Sequence, residues 1–74
     1  MPKFNKDEYA MNLKIRDDVR KQMKGYTKAG VEPPYWLERE EQRYDLIVKM
    51  LEHYAVEEGI DIIDVKLGIA MEDL

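Results

Sequence analysis

The chain has 74 residues, 45% of them hydrophobic and 38% charged, with a formal net charge of −4 and no cysteine. That size gives one domain, spanning 1–74, near the lower limit for unaided folding, and the missing cysteines exclude disulfides and thiolate zinc sites as reinforcement. No apolar run approaches the roughly 20 residues of a membrane span, and the opening MPKFNKDEYA lacks an apolar signal core, so a soluble cytoplasmic protein is expected. The initiator methionine and the small, self-contained design set a further expectation: a free-standing reading frame of the kind common in phage and mobile elements.

The first helix is expected over about 6–28. In FNKDEY, Asn5 is placed to cap free amides of the first turn, with Glu8 at the capping-box position and Phe4 and Tyr9 as a hydrophobic staple. Met11, Ile15, Val19 and Met23 then repeat every four residues, with Tyr26 three further on. Tyr9 and Leu13 lie to one side of that row, so the apolar arc is wide, and Asn12, Arg16 and Gln22 interrupt it. Lys14, Lys21, Lys24 and Lys28 fall on the opposite face. Gly30 is suited to the left-handed turn that closes a helix, with Val31 folding back on Tyr26, and Glu32-Pro33-Pro34 cannot prolong it.

The second helix is expected over 34–58, with Pro34 near its first turn and Gly59 at its end. Leu37, Tyr44, Ile47, Val48, Leu51, Tyr54 and Ala55 form the best apolar stripe in the chain. Trp36 and Met50 extend it along one flank, while Glu38, Glu41, Asp45, Lys49, Glu52 and His53 read as a solvated face. The third segment, GIDIIDVKLGIAMEDL, reads as a helix over 62–73 capped by Asp61. Ile62, Ile63, Leu67, Ala70, Met71 and Leu74 are then its inward positions. Residues 60–67 are also β-branched enough for a strand, but a lone strand has no partner elsewhere in the chain. The fold class expected is all-α: two long antiparallel helices and a short C-terminal one. Because that last helix is apolar over most of its circumference, the domain is expected to oligomerise.

Chemistry is mostly missing. There is no serine, and the one threonine, Thr27, cannot offer the terminal amine that threonine nucleophiles use. The lone histidine, His53, cannot build a zinc site by itself. Glu57, Glu58, Asp61 and Asp64 do not match a calcium loop, and capping accounts for Asp61 and Asp64. The four glycines are scattered and make no phosphate loop. The expectation is a non-enzymatic protein with no cofactor, no metal and no small-molecule substrate.

Surfaces carry more information. Five tyrosines, one tryptophan and five methionines are many for 74 residues, and these are types enriched at the centres of protein interfaces. Tyr26, Tyr35 and Trp36 gather around the proline-stiffened 29–36 connection, and with Met71 and Leu74 they are the expected contacts for a partner protein or a second copy. Residues 1–31 hold eight basic and four acidic side chains, net +4, and residues 32–74 four basic and twelve acidic, net −8. Two alternatives follow. One is a nucleic-acid-binding regulator using Lys14, Arg20, Lys21, Lys24 and Lys28; the other is an acidic nucleic-acid mimic using Glu38, Glu40, Glu41, Asp45, Glu52, Glu57 and Glu58.

Overall fold

The computed structural model describes residues 3–72. Three helices follow one another, α1 (Lys6–Lys28), α2 (Tyr35–Glu57) and α3 (Ile62–Glu72), and there is no strand among the described residues. All-α is thus the fold class, and 60–67 is not a strand.

Each helix ends where its local chemistry directs. The Asn5 side chain accepts bonds from the Asp7 and Glu8 amides at 2.9 and 3.1 Å, and the Phe4 and Tyr9 rings meet at 5.6 Å between centroids to close the staple. At the far end, the Val31 amide donates to the Tyr26 carbonyl and the Gly30 amide to the Thr27 carbonyl, both at 3.0 Å. Gly30 has φ 74, the left-handed geometry this pair of bonds requires. The same motif closes α2: Gly59 has φ 73, and the Ile60 amide reaches the Ala55 carbonyl at 2.8 Å. Pro34 stands just outside α2 as its capping residue, its carbonyl accepting the Leu37 and Glu38 amides. Asp61 caps α3 by accepting the Ile63 amide at 2.9 Å.

Bonds between α1 and α2 fix their pairing. Tyr9 reaches Glu52, Arg16 reaches Asp45 and Arg20 reaches Glu41, so partner numbers fall as α1 is ascended. That descending register is the pattern of two helices running in opposite directions. The fully covered core holds Tyr9, Leu37, Val48, Leu51 and Ala55, with Val19 nearly so. Around Tyr9, Val48 and Leu51 pack Phe4 and Leu13 from the first segment, Ile47 and Tyr54 from α2, and Ile62, Val65 and Ile69 from α3. An 11-residue helix is about 16 Å long, so α3 spans roughly half of either 23-residue partner. It sits at the end formed by the start of α1 and the end of α2. The N-terminal segment is tied to that same end, where the Lys3 and Phe4 amides donate to one Glu58 carboxylate oxygen at 3.0 and 2.8 Å.

Three details differ from the sequence reading. Along α1, Met11 is exposed, while Asn12 is buried and Arg16 largely covered. The four-residue repeat drifts around the helix, and the inward face settles on Tyr9, Asn12, Val19 and Met23. Asn12 is tolerated there because its amide donates to the Glu8 carbonyl at 2.8 Å. On α2, Asp45 and Glu52 are half-buried rather than solvated, since α1 supplies partners for both. On α3, Ile62, Val65 and Ile69 turn inward, whereas Ile63, Leu67, Ala70 and Met71 are exposed. Leu74 lies outside the described residues. An apolar helix without a polar side carries no rotational instruction, so packing and the Lys66–Glu52 and Lys6–Glu72 pairs at 3.1 Å choose its orientation.

Leu51→Ala should cost about 2–5 kcal/mol, most of the margin of so small a domain. Chemical denaturation is expected to show a sharply lowered midpoint for this variant.

Candidate protein-interaction surface

The inner seam between α1 and α2 is charged on one side. Arg16 Nη1 donates to Asp45 at 3.0 Å, and Arg20 donates to Glu41 at 3.0 Å and to Asp45 at 3.2 Å. Lys49 closes on the other Asp45 oxygen at 2.9 Å. The bond from Lys49, followed by those from Arg16, holds the Asp45 carboxyl below its usual range. Arg16 Nε is buried without a hydrogen-bond partner, an unusual state for a guanidinium fixed at its other end.

Glu52 joins all three helices. It accepts the Tyr9 hydroxyl at 2.7 Å from α1 and pairs with Lys66 at 3.1 Å from α3. Burial is the largest single influence on Glu52 and pushes its carboxyl upward. The bonds from Tyr9 and Lys66, with the charges of Lys66 and Arg16, outweigh it and hold the group below its usual range. Tyr9 moves the other way: burial first, then the bond to Glu52, raises its phenol far above the ordinary value. Sequence spacing gave no sign of this tie, because residues 9, 52 and 66 meet only once the three helices pack.

Polar and acidic groups being drawn inward, apolar side chains are left outside. Trp36 is 60% and Tyr35 73% exposed, and Tyr26 also reaches solvent beside the same connection. Along α2, Trp36, Arg39, Arg43, Leu46 and Met50 follow at three- and four-residue steps, forming one outer face. Trp36, Arg39, Arg43 and Leu46 share an open groove on it. Arg39 lies over the Tyr35 ring, 5.9 Å from its centroid, which holds that aromatic against the helix. The sequence reading picked out Trp36 and Tyr35 but missed Arg39, Arg43 and Leu46. Their three- and four-residue spacing was legible, but they lie off the inward stripe, so nothing in the sequence singled them out. Met71 is exposed too, but on α3 and away from the connection, so the expected contact residues fall into two groups rather than one.

The five cations expected on α1 also divide. Arg20 is engaged by Glu41 and Asp45, while Lys14, Lys21, Lys24 and Lys28 are exposed and pair with no carboxylate among the described residues. Of the seven acids proposed for mimicry, Glu41, Asp45, Glu52 and Glu58 are engaged inside the fold. Among the described residues no group of three or more His, Asp or Glu side chains is placed to hold a metal ion. No helix there is long and apolar enough to cross a membrane.

No family model matches the chain, and no curated protein or solved structure matches it either.

Stability should fall in acid. A carboxyl held low when folded contributes fully above its unfolded pKa, about 4, and loses that contribution as pH drops through the lowered folded value. Asp45 and Glu52 both act in that direction. Denaturation midpoints of the wild type should decline below about pH 4, and Glu52→Gln should flatten the decline.

Proposed function

We propose that this chain is a small non-enzymatic helical protein that works in the cytoplasm by binding another protein and modulating it, as an inhibitor or adaptor. The observation that carries this reading is the exposed aromatic group at the α1–α2 connection. Trp36 and Tyr35 project from the first turn of α2, directly after two prolines and beside Tyr26. A tryptophan 60% exposed in a domain so short of core is not serving the core. Large rigid aromatics flanked by arginine have the composition of binding hot spots. The prolines fix the backbone on which they stand, which lowers the ordering cost of engagement. Tyr26, Tyr35 and Trp36 are the contacts at this site, and Arg39, Arg43 and Leu46 extend it along α2. The partner chemistry favoured is an apolar segment bordered by acidic side chains, which would meet both guanidiniums.

A second reading rests on Lys14, Lys21, Lys24 and Lys28, four exposed cations on one face of α1. That face would follow a phosphate backbone, without Arg20, and would make a nucleic-acid-binding regulator. Asp17 and Asp18 lie within the same stretch, and the aromatic site accounts for more of the surface, so protein binding is preferred.

Trp36→Ala should change stability by no more than about 0.5 kcal/mol. It should weaken partner binding by about 2 kcal/mol or more, on the order of 30-fold. Affinity capture with wild-type and Trp36→Ala baits of matched circular dichroism checks this: a partner held by the first and released by the second is expected. Equal capture by both would remove Trp36 from the interface.

The second reading has its own measurement, the salt dependence of oligonucleotide binding. If α1 binds phosphates, affinity falls steeply with salt and Lys21→Glu with Lys24→Glu abolishes it. On the preferred reading, no salt-dependent binding is seen.

A further inference from the structure

The outer face of α2 has a charge opposite to that of the stretch it belongs to. Residues 32–74 hold twelve acidic and four basic side chains, and two of those four, Arg39 and Arg43, stand on this face. The acids of the same part of α2 lie elsewhere. Glu41 and Asp45 turn to Arg16 and Arg20 of α1. Glu38 and Glu40 adjoin Arg39 in sequence, and neighbours on a helix are about 100° apart, so they flank its line without sharing it. Glu40 reaches the margin of the groove, but at 4.0 Å from Arg43 it is too far for a hydrogen bond, and Arg43 remains 71% exposed with donors free.

The apolar members of the face bracket the two arginines. Trp36 lies on one side of them along the helix, Leu46 and Met50 on the other, all three exposed. The steps from Trp36 to Arg39, Arg43, Leu46 and Met50 are three, four, three and four. That alternation is the seam on which a second helix seats its side chains. An extended segment has no comparable place, because the described residues contain no strand whose edge it could join.

We propose that the occupant of this face is an acidic amphipathic helix of the partner protein, packed lengthwise along α2. From Trp36 to Met50 the seam runs about 21 Å, or about four turns, which sets the length of the partner segment. Two carboxylates four residues apart on that segment match Arg39 and Arg43, which are themselves one turn apart and able to accept each carboxylate with two N–H groups. Apolar side chains to either side of the carboxylates cover Trp36 at one end and Leu46 and Met50 at the other. The proposal deepens the protein-binding reading given above and rests on it.

Trp36 is the only tryptophan of the chain, so its emission reports on the site. The probes are two tryptophan-free stapled helices about four turns long. Both carry leucines along one line, with either two glutamates or two lysines at its centre, four residues apart. The glutamate helix should shift Trp36 emission to the blue in a saturable titration, and the lysine helix should bind about tenfold more weakly or worse. Arg39→Glu with Arg43→Glu should exchange that order while leaving the helical circular dichroism unchanged, since both side chains are exposed. No shift with the glutamate helix, equal binding of the two helices, or an order that the arginine reversal fails to exchange would each overturn the proposal. So would a single-stranded oligonucleotide that binds more tightly than the glutamate helix, or a blue shift produced by raising the concentration of the protein alone, the sign of a second copy on this face. A captured partner that Trp36→Ala releases but Arg39→Glu with Arg43→Glu retains would overturn the acidic helix and leave the protein-binding reading standing.

Discussion

Tyr9 and Glu52 hold the molecule together at one point. The Tyr9 ring is fully buried against Val48 and Leu51, braced by Phe4, and its hydroxyl donates to a carboxylate that also takes Lys66 from α3. One side chain thus joins the first helix to the second, and its acceptor joins the second to the third. The remaining interior is arranged around that tie. Beyond α3's reach, the α1–α2 seam is held by Leu37 and Val19, by partly buried Met23 and Tyr44, and by a row of arginine–carboxylate bonds. Burying partly hydrated ion pairs adds little net stability compared with apolar packing, though removing one partner costs a good deal. The seam therefore fixes register more than it supplies stability.

That economy has a consequence outside the core. With Asn12, Arg16, Asp45 and Glu52 drawn inward, the chain's apolar side chains outnumber the interior places for them. Trp36, Leu46 and Met50 are displaced to one face of α2, and Ile63, Leu67 and Met71 to the outer face of α3. These are two separate sites on two helices. The first carries arginines and aromatics, the ingredients of a hetero-protein contact. The second is apolar at its centre, with Asp61 and Asp64 at one end and a groove of mixed charge at the other.

Much of this fold is written in local sequence. Asn5, Gly30, Gly59 and Asp61 mark helix ends through bonds spanning at most five residues, and all of them operate as their chemistry requires. The α2 stripe was legible because Leu37, Val48, Leu51 and Ala55 recur on one line. Rotation was not legible for α3, where apolar residues surround the helix and Ile63 and Ile62 are equally good candidates for burial. Nor was the inward turn of Asp45 and Glu52, since a carboxylate's place depends on whether a distant arginine, tyrosine or lysine meets it. The aromatic site was visible at Trp36 and Tyr35 because two prolines flank them, while Arg39 and Arg43 become part of it only when the outer face of α2 is seen whole.

The central claim is that the fold leaves more apolar surface than one chain covers, so that association completes it. Thermal unfolding of the wild type, followed across protein concentrations, tests this most directly, because a native assembly gains stability by mass action. The account predicts a midpoint that climbs steadily with concentration; a midpoint that stays fixed from dilute to concentrated solution would contradict it.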